Sequence, residues 1–382
     1  MAQILPEVSR TFNEFLLLPN RTSAGCSPDA IDLSVALARH ADGEPPSLTL
    51  SVPFTSAIMQ AVSSPQLAIS LACSGGLGFL SHNQGIEAQA AAVRQVKYAD
   101  HQRLPGELVD AGKRLRVGAG VNTHDFRDRI PALVEAGADV LCFDSSDGYS
   151  DWQADALRWS KREFPAVPVG GGNVVDGQAF TFLAEAGADF VKVGIGGGSI
   201  CITRDQKGIG RGQASAVLEV AGARDAYRDA TGMHVPVCSD GGLLHDYHMA
   251  LALAMGADFV MMGHYFARFD QAPGRKVRLN GAYLKEYWGE GSRRARNWQR
   301  YDQGGEDLVF EEGVDGYVPY AGDLTENLAV TTAKIRATMA SCGARTLAEF
   351  RETARLVEVS EQTYQENVAS VIVRESVGAV AD

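Results

Sequence analysis

Residues 182–201 read Phe182-Leu183-Ala184-Glu185-Ala186-Gly187-Ala188-Asp189-Phe190-Val191-Lys192-Val193-Gly194-Ile195-Gly196-Gly197-Gly198-Ser199-Ile200-Cys201. A helical pattern ends at Ala186, and Gly187 supplies the cap that a helix end favours. An apolar, β-branched strand follows at once. The phrase Ala-Gly-Ala-Asp also occurs at 136–139, and Met-Gly-Ala-Asp stands at 255–258. The recurrence marks an internal βα repeat.

Eight short apolar runs lead into polar or glycine-rich loops: 50–56, 76–81, 115–121, 140–144, 167–171, 190–195, 235–239 and 259–263. Between them, stretches 64–74, 86–96, 126–136, 153–163, 177–186, 213–231 and 247–255 space apolar residues as amphipathic helices do. Alternating strands and helices build a parallel sheet. Eight units are the number that closes a (β/α)8 TIM barrel, with its active site at the C-terminal strand ends. An open doubly wound sheet is the alternative, and it rarely needs eight regular units. Polar residues collect where a barrel needs them: Ser81-His82-Asn83, Asp144-Ser145-Ser146-Asp147, Gly171-Gly172-Asn173, Ser239-Asp240-Gly241-Gly242 and Gly263-His264.

The 382 residues are 45% hydrophobic and 21% charged, ample material for a core. A net charge of −12 argues against nucleic acid and anionic membrane as general partners. No run reaches the ~18 apolar residues of a membrane span. The start of the chain carries Glu7 and lacks the apolar segment of a secretory signal. Six widely spaced cysteines without a C-x-x-C pair disfavour zinc and disulfides and fit a reducing cytoplasm. Residues 98–114 read as a polar linker, and 266–320, with little periodicity and Tyr287, Trp288, Trp298 and Tyr301, as a mobile flap over the barrel mouth. Helices at 323–342 and 346–356 and a strand-like tail at 370–374 complete a single domain, 1–382.

Glycines let the backbone approach a ligand closely, and N–H groups freed by a bend cradle phosphate. A thiol three residues past such a cradle, Cys201, is placed to attack a phosphate-bearing substrate. The plain alternative is a turn with a cysteine acting as a small hydrophobe. Convergence of polar strand ends favours the nucleophile. A free thiol has a pKa near ~8.5, so the site must favour the thiolate or catch its proton. Arg204 is the nearest cation in sequence.

Together these residues resemble the IMP dehydrogenase and GMP reductase family over nearly the whole chain. The carriers are 194–204, 239–242, Asp144-Ser145-Ser146, Gly171-Gly172-Asn173, Lys285-Glu286-Tyr287-Trp288-Gly289-Glu290-Gly291-Ser292 and Glu312-Gly313. The resemblance implies NAD-dependent oxidation of inosine 5′-monophosphate (IMP) to xanthosine 5′-monophosphate, in guanine nucleotide synthesis. The family's dehydrogenases carry an Arg-Tyr pair for a hydrolytic step that its reductases lack. Arg300-Tyr301 supplies the pair. GMP reductase and a non-catalytic purine nucleotide-binding barrel are the alternatives. Most relatives insert paired CBS modules where this chain has only 98–114.

By the same resemblance, Cys201 adds to C2 of the purine, and Arg300 with Tyr301 activates water. A guanidinium stays protonated at ordinary pH, so a relay through Thr203 and Glu312 is kept as the other route. Ser199, loop N–H groups, Gly242, Gly263 and Tyr287 hold phosphate. His264 stands where the family has Ser and reads either as a phosphate donor or as a side chain on the barrel exterior. Asp240 takes the ribose hydroxyls, while Gly289, Glu290, Gly291 and Glu312 meet the base. Glu290 replaces a usual Met and contacts the base through its backbone. Asp144, with Ser145, Ser146, Asn173 and Gly194, takes the nicotinamide ribose, although Ser146 reads equally as a helix N-cap. No dinucleotide fingerprint of the G-x-G-x-x-G kind accompanies them. A potassium ion is implied on carbonyls of Gly196, Gly198 and Cys201, with Glu375, Ser376 and Val377 from a neighbouring subunit. A homotetramer is the expected assembly.

Overall fold

Each Gly-Ala-Asp phrase does the same job in the computed structural model, which describes residues 2, 4–101, 104–295 and 310–366. Gly187, at φ +102°, turns the chain from helix into strand. The aspartate then reaches back to the preceding strand. Asp139 Oδ2 accepts from the Val117 N–H at 2.9 Å, Asp189 Oδ2 from Val169 at 2.6 Å, and Asp258 Oδ2 from Val237 at 2.8 Å. A cation from an earlier helix neutralises each carboxylate: Lys97 at 2.9 Å, Lys161 at 2.8 Å and Arg224 at 2.8 Å.

Eight barrel strands result: β1 (Phe54–Ser56), β2 (Phe79–Leu80), β3 (Gly118–Val121), β4 (Val140–Phe143), β5 (Val169–Val174), β6 (Val191–Val193), β7 (Val237–Asp240) and β8 (Phe259–Met262). They lie parallel in the order β1-β8-β7-β6-β5-β4-β3-β2. A parallel bridge between Thr55 and Leu77 joins β1 to the β2 edge, so the sheet closes. This is the expected (β/α)8 TIM barrel. Its helices are α1 (Pro65–Cys73), α2 (Ile86–Lys97), α3 (Phe126–Ala136), α4 (Asp151–Glu163), α5 (Gly177–Glu185), the short α6 (Thr203–Lys207), α7 (Gln213–Thr231), α8 (Asp246–Ala254) and α9 (His264–Ala267). Side-chain caps start three of them, with Ser64, Ser150 and Asp176 accepting from Leu67, Gln153 and Ala179 N–H. Ser150 caps α4, so Ser146 does not.

Phenylalanines fill the barrel floor. Phe79 and Phe190 rings lie 6.1 Å apart, and Phe190 and Phe259 rings 5.6 Å, all fully buried. They belong to alternate strands, which is how barrel interiors layer. Gly170 on the neighbouring β5 leaves Phe190 room, since a Cβ there would lie 2.1 Å from its ring. Packing of these phenylalanines closes that end of the barrel interior.

Three regions differ from the sequence reading. Lys276–Leu279 (β9), Ala282–Trp288 (β10) and Asp315–Pro319 (β11) form an antiparallel sheet inside the stretch that shows little periodicity. Asn280 and Gly281, at φ +51° and +82°, make the two-residue hairpin turn that Asn-Gly favours. The helix expected over 346–356 ends at Thr353 (α11, Leu347–Thr353, after α10, Leu324–Ser341). Arg355–Glu358 then pairs antiparallel with Phe15–Leu18. Residues 104–114 fold back on the barrel, where the Leu108 N–H donates to Ala72 O at 2.8 Å and Asp110 meets Lys97 at 3.0 Å. The tail at 370–374 and Trp298 lie outside the described residues. No described helix is long and apolar enough to cross a membrane.

Candidate active site

A cavity opens at the C-terminal strand ends. The segment after β4 brings Asp144, Ser145 and Ser146, and β5 brings Asn173. The loop after β6 brings Gly194, Gly196, Gly198, Ser199, Cys201 and Thr203. Asp240 and Gly242 come from β7 and its loop, Gly263 and His264 from the end of β8. Tyr287, Gly289, Glu290 and Gly291 come from β10 and its turn, and Glu312 from the segment before β11. Every one of these was assigned from sequence. Arg300, Tyr301, Glu375, Ser376 and Val377 lie outside the described residues.

The cysteine loop is held by its backbone. At Gly194, φ is +138°, and a Cβ would lie 2.1 Å from the Asp240 carbonyl, so only glycine passes there. The Cys201 N–H donates to Gly198 O at 3.1 Å, and Ile202 and Val314 N–H groups bond across to Glu312 and Ile200 carbonyls at 3.0 and 3.1 Å. The half-buried Cys201 Sγ–H donates to Thr203 Oγ1 at 3.1 Å, and that hydroxyl donates to Glu312 Oε2 at 3.0 Å. Lys207 Nζ stands 3.2 Å from Glu312 Oε1. A thiol, a hydroxyl and a carboxylate in series give the thiol proton an exit. Arg204 turns away and donates to the Arg211 carbonyl.

A second cluster joins two carboxylates. The ammonium of Lys192, on β6, lies 2.6 Å from Asp144 Oδ1 and 2.9 Å from Asp240 Oδ2. Burial works to lower its pKa, but Asp144 and Asp240 outweigh burial and hold it well above the ordinary lysine value. Asn173 Nδ2 donates to Gly194 O at 2.7 Å and Asp240 Oδ2 at 3.0 Å. Its Oδ1 is buried with no hydrogen-bond partner among the described residues. Lys192 was not assigned from sequence as a site residue. The available signal was a lysine within the otherwise apolar run Phe190-Val191-Lys192-Val193.

Elsewhere on the cavity wall, Ser199 Oγ and His264 Nδ1 lie 3.4 Å apart, and the His264 ring meets Tyr287 edge-on at 6.3 Å. His264 therefore faces the cavity and not the barrel exterior. Burial, with Arg268 and His245 adding to it, lowers its pKa and favours the neutral imidazole. Burial pushes the Tyr287 phenol up. The neighbouring loop is pinned by His248, whose Nδ1 accepts from the Leu244 N–H at 3.2 Å. That bond assigns the proton to Nε2, which donates to Asn13 Oδ1 at 2.7 Å. Burial, then His245, brings its pKa down to about 4. The Glu290 carboxylate accepts from the Gln60 N–H, and Trp288 Nε1 donates to Gln60 Oε1 at 3.1 Å. No group of three or more His, Cys, Asp or Glu suited to a metal ion occurs among the described residues.

Comparison with known proteins gives the same picture. The family model described as IMP dehydrogenase / GMP reductase domain matches residues 9–369. Inosine-5′-monophosphate dehydrogenase of Tritrichomonas foetus is 42% identical over 497 aligned positions, covering 99% of each chain. That span exceeds the 382 residues here, so the relative carries sequence with no counterpart in this chain. The Borreliella burgdorferi enzyme of the same name is 29% identical over 94% of this chain and 95% of its own. That of Aquifex aeolicus is 37% identical over 70% of this chain and 54% of its own. The chain belongs to the IMP dehydrogenase / GMP reductase family.

Proposed function

We propose that this chain is an NAD-dependent IMP dehydrogenase, a cytoplasmic oxidoreductase of guanine nucleotide synthesis that works through a covalent adduct on Cys201. The carrying observation is the Cys201–Thr203–Glu312 series, set in one cavity with Ser199, His264 and Asp240. The relatives' names agree with it.

Ser199, loop N–H groups, Gly242, Gly263, His264 and Tyr287 hold the phosphate, and Asp240 the ribose hydroxyls. Gly289, Glu290 and Gly291 border the base. The thiol proton passes to Thr203 and on to Glu312, which gives it up to solvent, and the sulfur bonds to purine C2 as the C2–N3 π bond opens, to be restored when the C2 hydride leaves. NAD, when bound, supplies the acceptor for the C2 hydride. The buried acceptor Asn173 Oδ1, beside Asp144, Ser145, Ser146 and Gly194, fits the donors that a ribose and a carboxamide bring. Water then adds to C2, and the sulfur leaves as thiolate, releasing xanthosine 5′-monophosphate. Thr203 with Glu312, or Arg300 with Tyr301, takes the proton from water.

Potassium fits the carbonyl donors of Gly196, Gly198 and Cys201, since oxygen ligands at a tight turn suit a hard cation. With Glu375, Ser376 and Val377 of a neighbouring subunit, it would brace the cysteine loop within a homotetramer. Residues 98–114 stand where the family places paired CBS modules, 266–320 act as the flap, and 1–382 form one catalytic domain.

Incubation with IMP and NAD in potassium buffer should raise the absorbance of reduced nicotinamide. Replacing potassium with choline should lower the rate. GMP-dependent NADPH oxidation with no IMP reaction would instead identify a reductase.

A further inference from the structure

Lys192 is the only lysine in the eight barrel strands, and it is 1% exposed. Its ammonium contacts carboxylates from two other strand ends, Asp144 at 2.6 Å and Asp240 at 2.9 Å. On the reading above, those carboxylates serve different ligands: Asp240 the ribose of IMP, Asp144 the ribose of the dinucleotide. A carboxylate distinguishes a diol from a deoxy sugar only when its oxygens are fixed, because recognition then leaves a buried acceptor unpaired if a hydroxyl is missing. Two such groups sharing a cavity also repel, and without a cation one of them takes up a proton. A single buried ammonium, touching both, answers both requirements. Asn173 adds a second donor to Asp240 at 3.0 Å.

We propose that Lys192 is the shared positioning residue of both ribose sites, fixing Asp144 and Asp240 so that recognition of ribose hydroxyls on nucleotide and dinucleotide depends on one side chain. The identity of the two ligands rests on the IMP dehydrogenase reading. A lysine that served only to neutralise core charge would affect stability and leave sugar discrimination intact.

The test compares the full chain with Lys192→Met, Lys192→Gln and Lys192→Arg. Calorimetry measures binding of IMP and of 2′-deoxyinosine 5′-monophosphate, and steady-state kinetics gives KM for NAD. The unaltered chain should prefer IMP by about tenfold or more, the value of a lost hydrogen bond to a charged group. Lys192→Met should bring that preference to within about twofold and raise KM for NAD by about tenfold, since each carboxylate loses its charged partner. Lys192→Arg, which keeps the charge, should retain most of both. Lys192→Gln covers the case in which Lys192→Met does not fold. A folded neutral variant that keeps the IMP preference, or loses it with KM for NAD unchanged, overturns the shared role. Failure of the unaltered chain to bind IMP at all would instead overturn the functional reading on which the proposal stands.

Discussion

At Cys201, reactivity depends on where one proton goes. No described cation stands within ion-pair distance of the thiol in the way Lys207 stands against Glu312, so the outlet runs through the Thr203 hydroxyl to Glu312. Glu312→Gln removes the acceptor at its end. We expect adduct formation, and the hydride transfer that follows it, to slow by about tenfold or more, because general-base assistance is worth at least that much. Stopped-flow absorbance would then show reduced nicotinamide appearing correspondingly more slowly in the first turnover. An unchanged first-turnover rate would remove Glu312 from the path of the thiol proton. Individual roles were only partly legible in the sequence. Cys201 announced itself through the glycines before it. The pairing of Thr203 with Glu312 spans 109 positions and no local pattern reports it. Lys192 was hidden for the same reason, since its partners lie 48 residues away on either side. The orientation of His264 was equally open until its distance to Ser199 was known.

The repeating unit shows why the barrel was readable as elements. Gly-Ala-Asp recurs because the same junction is built at three places, each carboxylate holding the start of an adjacent strand. Asp258 is the most deeply committed, accepting from Arg224 at 2.8 Å, Arg351 at 2.7 Å and His234 at 3.2 Å, and its pKa lies well below the ordinary value. Burial opposes that shift, and Arg224 leads the charges that overcome it. Asp258→Asn removes the counter-charge of Arg351 and leaves Arg224 with Asp225 alone, at 2.9 Å. It should cost about 3–5 kcal/mol of stability, the range for breaking a buried ion pair. Urea unfolding checks this, and a midpoint within error of the unaltered chain would contradict it. The β9–β10 hairpin was missed although its Asn280-Gly281 turn was visible. The four residues of β9 and the first three of β10 are largely exposed, so their alternation is weak against the charged residues around them.

For the molecule as a whole, the eight-fold count of βα units decided the architecture, and the architecture located the mouth. What sequence periodicity does not contain is the convergence there of segments from residue 57 to residue 313 on one cavity. Closure of the sheet between Thr55 and Leu77 is a contact that only the folded chain makes. The central claim, that Cys201 carries the substrate covalently between oxidation and hydrolysis, is tested most directly by mass spectrometry of the full chain quenched during turnover with IMP and NAD. The account predicts a purine nucleotide adduct on the peptide containing Cys201, absent without NAD and absent in Cys201→Ala, which should have no turnover. Continued turnover by Cys201→Ala, or an adduct that maps to another residue, would contradict it.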